Sequence, residues 1–356
     1  KAAAQTNTLP DIFGILSEKR DFASFINADH ILNLKEYMEA DDLEWKNKFF
    51  EEAISVNEFK ADNNFGVPEG IYGVPIDITN IQFLYNKRMF REAGLDPEKP
   101  PRTWKEFIEV GKKLNAAGFQ GLVSGFGEIW LLDCLSSIYA YNIMGEDKVL
   151  ATIKGDVLYT DPDWVKVLSL FDEMRNNNLL ATGTISMVNK TAEQMFANER
   201  AAINFDGSWA VNVYNGMNKN LEYGVMPPPI YSTEHPAVVW GGAGSSFMVN
   251  KKSKLKEEAI KFLKWITDAE QQIYLAETTR NIPSNKDAVE NIPTILKEFI
   301  KDTPKIVHPG NYSYSEFPSV LEVLNKGIQS IIIGEKKPID VLTEVQRVKD
   351  REISRI

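Results

Sequence analysis

Residues 72–104 constrain the fold more than any other stretch of the chain. They read YGVPIDITNIQFLYNKRMFREAGLDPEKPPRTW. A Tyr72-Gly73 turn leads into an alternating apolar run that ends in Leu84-Tyr85-Asn86-Lys87. A short charged helix, a bend at Pro100-Pro101 and a new helix from Thr103 follow. Strand, helix, bend and helix in such close succession predict an α/β chain, and the same alternation continues towards the C-terminus.

Individual elements carry their own signals. Leu9-Pro10-Asp11-Ile12-Phe13 reads as a short buried strand, and Trp45, Phe49 and Ala53 recur at four-residue steps, as on a helix. Thr103-Trp104-Lys105-Glu106 is a capping box, in which the hydroxyl accepts an amide of the first turn and the glutamate reaches back. Trp104, Phe107, Val110 and Leu114 then form one apolar face, Gly118 stops the helix, and residues 120–124 predict the next strand. Asp161-Pro162-Asp163 opens another helix with Trp164, Val167, Leu168 and Phe171 inward. Residues 253–267 place Ala259, Phe262, Leu263 and Ile266 at helical spacing, and two closing helices flank Gly334.

With 356 residues, the chain is long enough for two sizeable cores. Fifty acids against 40 bases give a net charge of -10, which argues against nucleic acid as a partner. No run approaches the roughly 18 apolar residues of a spanning helix. Cys134, the one cysteine, lies in an apolar run and reads as a buried structural thiol. His30, His235 and His308 lack metal-ligand spacing, so neither a metal nor a cofactor is expected. There is no Gly-x-Ser-x-Gly elbow, no phosphate-cradling glycine loop and no His-Glu-x-x-His. Glu128 with Asp206 or Asp77 leaves a glycosidase-like acid pair open as an alternative.

Several tryptophans sit beside polar turn residues rather than on helical stripes. That is the composition of a carbohydrate site, where indoles stack on the C–H faces of a sugar and acids or amides take its hydroxyls. Trp209 follows a short strand in Phe205-Asp206-Gly207-Ser208-Trp209, at the strand end where α/β sheets gather ligands, with Asp206 as a further ligand-binding candidate; a core tryptophan is the other reading. Glu128 and Trp130 occupy the loop after the strand near Ser124, either as hydroxyl acceptor and stacking ring or as a capping acid over a packed aromatic. Trp240 with Gly241 and Gly242 marks a place where the chain bends, and these three either contact ligand from there or plug the core of the bend; Asp77 either bonds ligand or caps a turn.

Taken in order, Pro10-Asp11-Ile12, Tyr85-Asn86-Lys87, Pro100-Pro101-x-Thr103-Trp104, Gly207-x-Trp209 and Ile282-Pro283-Ser284 span nearly the whole chain. The succession resembles the extracellular solute-binding proteins of ABC sugar importers, in particular the maltodextrin-type group. The resemblance implies a type II periplasmic-binding-protein fold, with two α/β lobes joined by about three crossover segments and a ligand cleft between them. The expected N-terminal lobe is 1–78 with 245–290, the C-terminal lobe 82–239 with 294–356, and the hinges lie near 78–81, 240–244 and 290–293. It further implies non-catalytic capture of a carbohydrate, delivery to permease subunits, a monomer, and an extracytoplasmic lipoprotein. An enzyme, or a receptor ectodomain using the same lobes, is the alternative. Relatives carry a strand, a helix and a strand ahead of this point, so a leading segment with its lipid anchor is expected to be absent. By the same likeness Glu128 and Trp130 match an acid-x-aromatic pair that contacts sugar, and Trp209 a stacking ring. Glu18 and Lys19 match an acid and a base near sugar, and Tyr314 a cleft aromatic. Thr79, where maltodextrin binders carry glutamate, and Ile15, where they carry an aromatic, are departures that bear on the identity of the ligand.

Overall fold

The structure, a computed structural model, describes residues 2–15, 19–301, 305–308 and 315–355. Its contacts divide the chain into two units, one of residues 1–80, 241–297 and 306–315 and the other of residues 81–240, 298–305 and 316–356. The chain changes unit at 80/81 and at 240/241. The next passage falls at 297/298, inside the Thr294–Ile300 helix, rather than near 290–293. The reason is local: Ile292 is buried, and the Pro293 carbonyl accepts from Leu296 N at 2.9 Å, so this pair starts a helix instead of crossing.

In the first unit Ser246–Val249 is the central strand of an antiparallel three-stranded sheet. Ile12–Gly14 flanks it on one side, with Phe13 opposite Met248, and Val74–Pro75 on the other, with Val74 opposite Phe247. Leu34, Met38, Trp45, Ile54, Val249 and Leu263 form one apolar cluster, and Phe22, Ile26, Phe59, Tyr72 and Met248 a second. Phe59 meets Phe22 and Tyr72 edge-on, at centroid separations of 5.5 and 5.9 Å, the arrangement favoured by the ring quadrupole. Two periodicity readings shift here. Trp45, Phe49 and Ala53 are all buried, but a 3-10 turn at Lys46–Lys48 and an extended Phe49 precede the Glu51–Asn57 helix. The Lys256–Ile266 helix turns Ala259, Ile260 and Leu263 inward and leaves Phe262 42% exposed.

In the second unit the 81–86 part of the Asp77–Asn86 strand pairs antiparallel with Ile203–Gly207, Phe83 opposite Phe205, and with Tyr223–Met226, Leu84 opposite Val225. Leu122–Val123 joins Ile203–Gly207 in parallel. The Trp104–Ala116 helix opens on the capping box read from the sequence: Glu106 N donates to Thr103 Oγ1 at 3.3 Å, and Thr103 N to Glu106 Oε2 at 3.0 Å. Asp161 caps the Pro162–Asn176 helix by accepting from Asp163 N at 2.9 Å. Cys134 is buried on the Trp130–Lys154 helix, where burial pushes its thiol up, away from the reactive thiolate. Among the described residues no helix is long and apolar enough to cross a membrane.

Candidate functional site

The second unit brings two segments together at the ends of two neighbouring parallel strands. After Leu122–Val123, Ser124 is fixed by donating from Oγ to the Phe205 carbonyl at 2.7 Å and from its backbone amide to Thr184 Oγ1 at 3.0 Å. The backbone then runs flat against residues 186–189. A Cβ on Gly125 would lie 2.5 Å from the Asn189 backbone and one on Gly127 2.7 Å from the Met187 carbonyl, so this approach requires glycine at both positions. Glu128 is thereby placed at the start of the Asn189–Ala197 helix, and its Oε2 accepts from Asn189 N at 2.6 Å. The unpaired amides of a helix start favour an anion there, and among the described residues no donor bonds to Oε1.

Trp130 begins the next helix and is 40% exposed. Trp209 comes from the adjacent strand end: Ile203–Gly207 stops, and Trp209 leads into the Ala210–Met217 helix. Its indole folds back across Gly207, where a Cβ would stand 2.0 Å from the ring; the glycine of Gly-x-Trp is what allows this. The Trp130 and Trp209 rings lie 5.9 Å apart at 49°.

Beneath the rings is a polar frame that the sequence reading missed. Trp209 Nε1 donates to Glu193 Oε1 at 3.1 Å. Asn189 Nδ2 donates to the same oxygen and to Asp206 Oδ1, both at 3.1 Å. Burial pushes the Glu193 carboxyl up and the nearby Glu128 charge adds to this, while the Trp209 N–H and Lys190 act the other way. Asn189 and Glu193 lie four apart on a helix face shared with Ala192, Phe196 and Ala197. Polar residues on an apolar face were the available signal.

Asp206 was expected to touch ligand, and the structure corrects this. It is fully buried, and its carboxylate accepts from Gly207 N at 2.8 Å, Asn189 Nδ2 at 3.1 Å and Asn204 Nδ2 at 3.2 Å. Burial, with Glu193 adding, pushes it well above the usual carboxylate range. It supports the floor of the site and does not face a ligand. Lys19 is corrected likewise: it is buried, donates to the Val56 and Glu58 carbonyls at 2.8 and 2.7 Å and sits 4.1 Å from the centre of the Phe59 ring. Its donors are spent inside the first unit. The half-buried Asp77 accepts from Ser245 N at Oδ1 (2.5 Å), which caps the turn at 244–245, and from Asn281 Nδ2 at Oδ2 (2.8 Å), in line with the capping alternative of the two readings. Burial pushes its carboxyl up.

Gly241 and Gly242 have steric roles. A Cβ on Gly241 would lie 2.4 Å from the Thr79 carbonyl, and Gly242 holds a φ of +146°. Trp240, the last residue of its segment in the second unit, is half-buried. Arg280 ends the Ala269–Thr279 helix with a φ of +57°. Glu18 and Tyr314 lie outside the described residues.

Comparison with known proteins adds an independent line. The family model described as bacterial extracellular solute-binding protein matches residues 1–307. The multiple sugar-binding protein of Streptococcus mutans is 27% identical over 289 residues, which are 76% of this chain and 61% of that protein; the chain thus spans well under two thirds of that relative's length. The sn-glycerol-3-phosphate-binding periplasmic protein of Escherichia coli is 25% identical over 321 residues, 82% of this chain and 69% of that one. Among solved structures, a chitin oligosaccharide binding protein aligns with a TM-score of 0.78 at 22% identity, over 98% of this chain and 85% of the other. An ABC transporter solute-binding protein from Thermotoga lettingae bound with α-D-tagatose gives 0.77 at 18% identity, over 98% and 87%.

Proposed function

The chain belongs to the bacterial extracellular solute-binding proteins, and from that membership we propose that it captures a neutral carbohydrate outside the cytoplasm and hands it to the permease of an ABC importer, without catalysis. Its α/β fold is that of the two-lobed solute-binding proteins. The observation that carries the ligand assignment is the tilted Trp130–Trp209 pair with Glu128 beside it. Two indole faces at an angle suit consecutive sugar rings of an oligosaccharide, and a carboxylate oxygen with spare capacity suits a hydroxyl.

The charge of the site separates the two kinds of relative. Glu128 and Glu193 are both acids, and Lys190, which lowers the Glu193 carboxyl, is exposed on the helix. Each negative charge of a phosphate about 5 Å from either carboxylate meets a repulsion of about 3 kcal/mol at an effective dielectric of about 20. A neutral sugar meets none, so the sugar-type ligand is favoured over a phosphate ester. Catalysis is disfavoured because the partners considered for Glu128 are engaged structurally, Asp206 being buried and each Asp77 oxygen already accepting a bond, from Ser245 N and Asn281 Nδ2.

Titration calorimetry against neutral oligosaccharides and sn-glycerol 3-phosphate tests this reading. A neutral glycan should bind and the phosphate ester should not. Trp130→Ala and Trp209→Ala should each cost about 1–3 kcal/mol of binding. Losses under about 0.3 kcal/mol for both would sink the assignment, and glycan cleavage seen by chromatography would overturn the non-catalytic part.

A further inference from the structure

We propose that Glu193 is a positioning residue: by accepting the Trp209 indole N–H it sets the angle of the stacking ring, and when it takes up a proton that hold weakens and capture weakens with it in mild acid. This rests on the carbohydrate reading above for its effect on affinity, though not for its effect on the indole.

The geometry comes first. Glu193 is 6% exposed, and its Oε1 accepts two donors, the Trp209 N–H and the Asn189 amide, each at 3.1 Å. Asn189 links three acids: its backbone N–H goes to Glu128, and its side-chain amide is shared between Glu193 and Asp206. The indole therefore rests on a carboxylate whose own position is set by the frame that also seats Glu128. The Trp209 ring lies across Gly207 and beside Trp130, contacts without direction of their own, and the bond to Glu193 is the directional one that fixes its angle.

The charged surroundings of Glu193 then set the response to pH. Its own helix supplies Lys190, and the loop ahead of the Trp130–Lys154 helix supplies Glu128. The Ile203–Gly207 strand supplies Asp206, and the Ala210–Met217 helix supplies Tyr214, which bonds to Asp206 at 3.4 Å. Leu122–Val123 brings no ionisable side chain. Burial pushes the Glu193 carboxyl up, with Glu128 adding and the Trp209 N–H and Lys190 opposing, so Glu193 collects a proton at a higher pH than an exposed glutamate does. A neutral carboxyl is a weaker acceptor than a carboxylate, since bonds to ionised groups are roughly twice as strong. The loss falls on the N–H that fixes the ring.

The test compares parent, Glu193→Gln and Trp209→Phe in two ways. In ligand-free protein, tryptophan fluorescence is followed from about pH 7.5 to about pH 4.5. The parent should show a step that is missing in both variants. With a neutral oligosaccharide, parent affinity should fall about three- to tenfold between about pH 7 and about pH 5, while Glu193→Gln, which keeps an acceptor but cannot titrate, changes by less than about twofold. A residue that merely supported the fold would leave the slopes of parent and variant alike. If Glu193→Gln keeps both the fluorescence step and the parental slope, the inference is overturned. Should Glu193→Gln not fold, Trp209→Phe decides: it keeps a stacking ring without the N–H, and a parental slope in its residual affinity overturns the inference equally. If no glycan binds at any pH, the carbohydrate reading fails, and the fluorescence step still supports or refutes the hold of Glu193 on the indole.

Discussion

Single residues in this chain do work that composition conceals. Gly207 is small so that an indole can lie across it, and Glu193 is an acid placed to receive that indole's N–H. Lys19 shows the converse. Read from the sequence beside Glu18, it looked like a sugar-contacting base; in the fold it spans 37 and 39 residues to bond the carbonyls of Val56 and Glu58, with Phe59 under its ammonium. Burial pushes the ammonium down to about 7, Glu58 opposing. The folded state thus holds this proton less tightly than the unfolded chain does. The contribution of Lys19 to stability therefore rises as pH rises from about 7 towards the ordinary lysine range. Lys19→Met keeps much of the stem and removes the donor, leaving two carbonyls unsatisfied at about 1–3 kcal/mol each. Urea unfolding at neutral pH should show a loss of at least about 2 kcal/mol. A loss within the usual surface range of about 0.5 kcal/mol would show that water replaces the donor.

Between elements, the C-terminal helices are pinned by one buried ion pair. Lys349 Nζ donates to Glu316 Oε1 and Oε2 at 2.7 and 2.6 Å and to the Ile153 carbonyl at 2.5 Å, while the Tyr159 hydroxyl donates to Glu316 Oε2 at 2.8 Å. This ties the Pro338–Ile353 helix to the head of Pro318–Ile332 and to the end of Trp130–Lys154. Desolvation offsets much of the attraction, so the pair is costly to break and cheap to replace whole. Lys349→Met alone should lose about 3–5 kcal/mol in urea unfolding, and adding Glu316→Leu should restore most of it. A double variant as unstable as the single one would mean that the pair itself stabilises. Sequence and structure part at this scale for the same reason. Thr103, Asp161 and the faces of their helices were legible because caps and periodicity are local chemistry. Glu128 with Trp130, and separately Trp209, were legible as polar-flanked residues beside strand ends, and the fold brings the two groups together. Whether a polar residue faces ligand or core is set by neighbours far along the chain. Asp206, a ligand candidate by sequence, is therefore buried in the fold, Glu193 gives no signal by itself, and Phe262 shares the spacing of an inward face that Ile260 occupies instead.

At the scale of the whole molecule, desolvated bases and desolvated acids respond to a fall in pH in opposite senses. In the first unit burial holds the His308 imidazole down at about 4, the Lys19 charge contributing. The unfolded chain takes that proton near 6.5, so this group's contribution is lost as pH falls from about 6.5 towards about 4. In the second unit Asp206 and Glu193 are raised. The folded state then binds protons that the unfolded chain has released, and stability from these acids grows as pH falls from their raised range towards the ordinary carboxylate value. Asp206→Asn isolates the second effect, because the difference between variant and parent cancels His308. Asparagine also fits the network: Asn204 Oδ1 has no hydrogen-bond partner among the described residues, and turning that amide would let it accept from the new side chain. The stability of the variant relative to the parent should decline with acidification, approaching about 1.4 kcal/mol per pH unit between the raised range of Asp206 and the ordinary carboxylate value, since one bound proton sets that slope. Urea midpoints measured across that range give the slope directly. A difference that stays flat with pH would mean that Asp206 is ionised alike in the folded and unfolded chain, and that the frame under Trp209 carries a full charge.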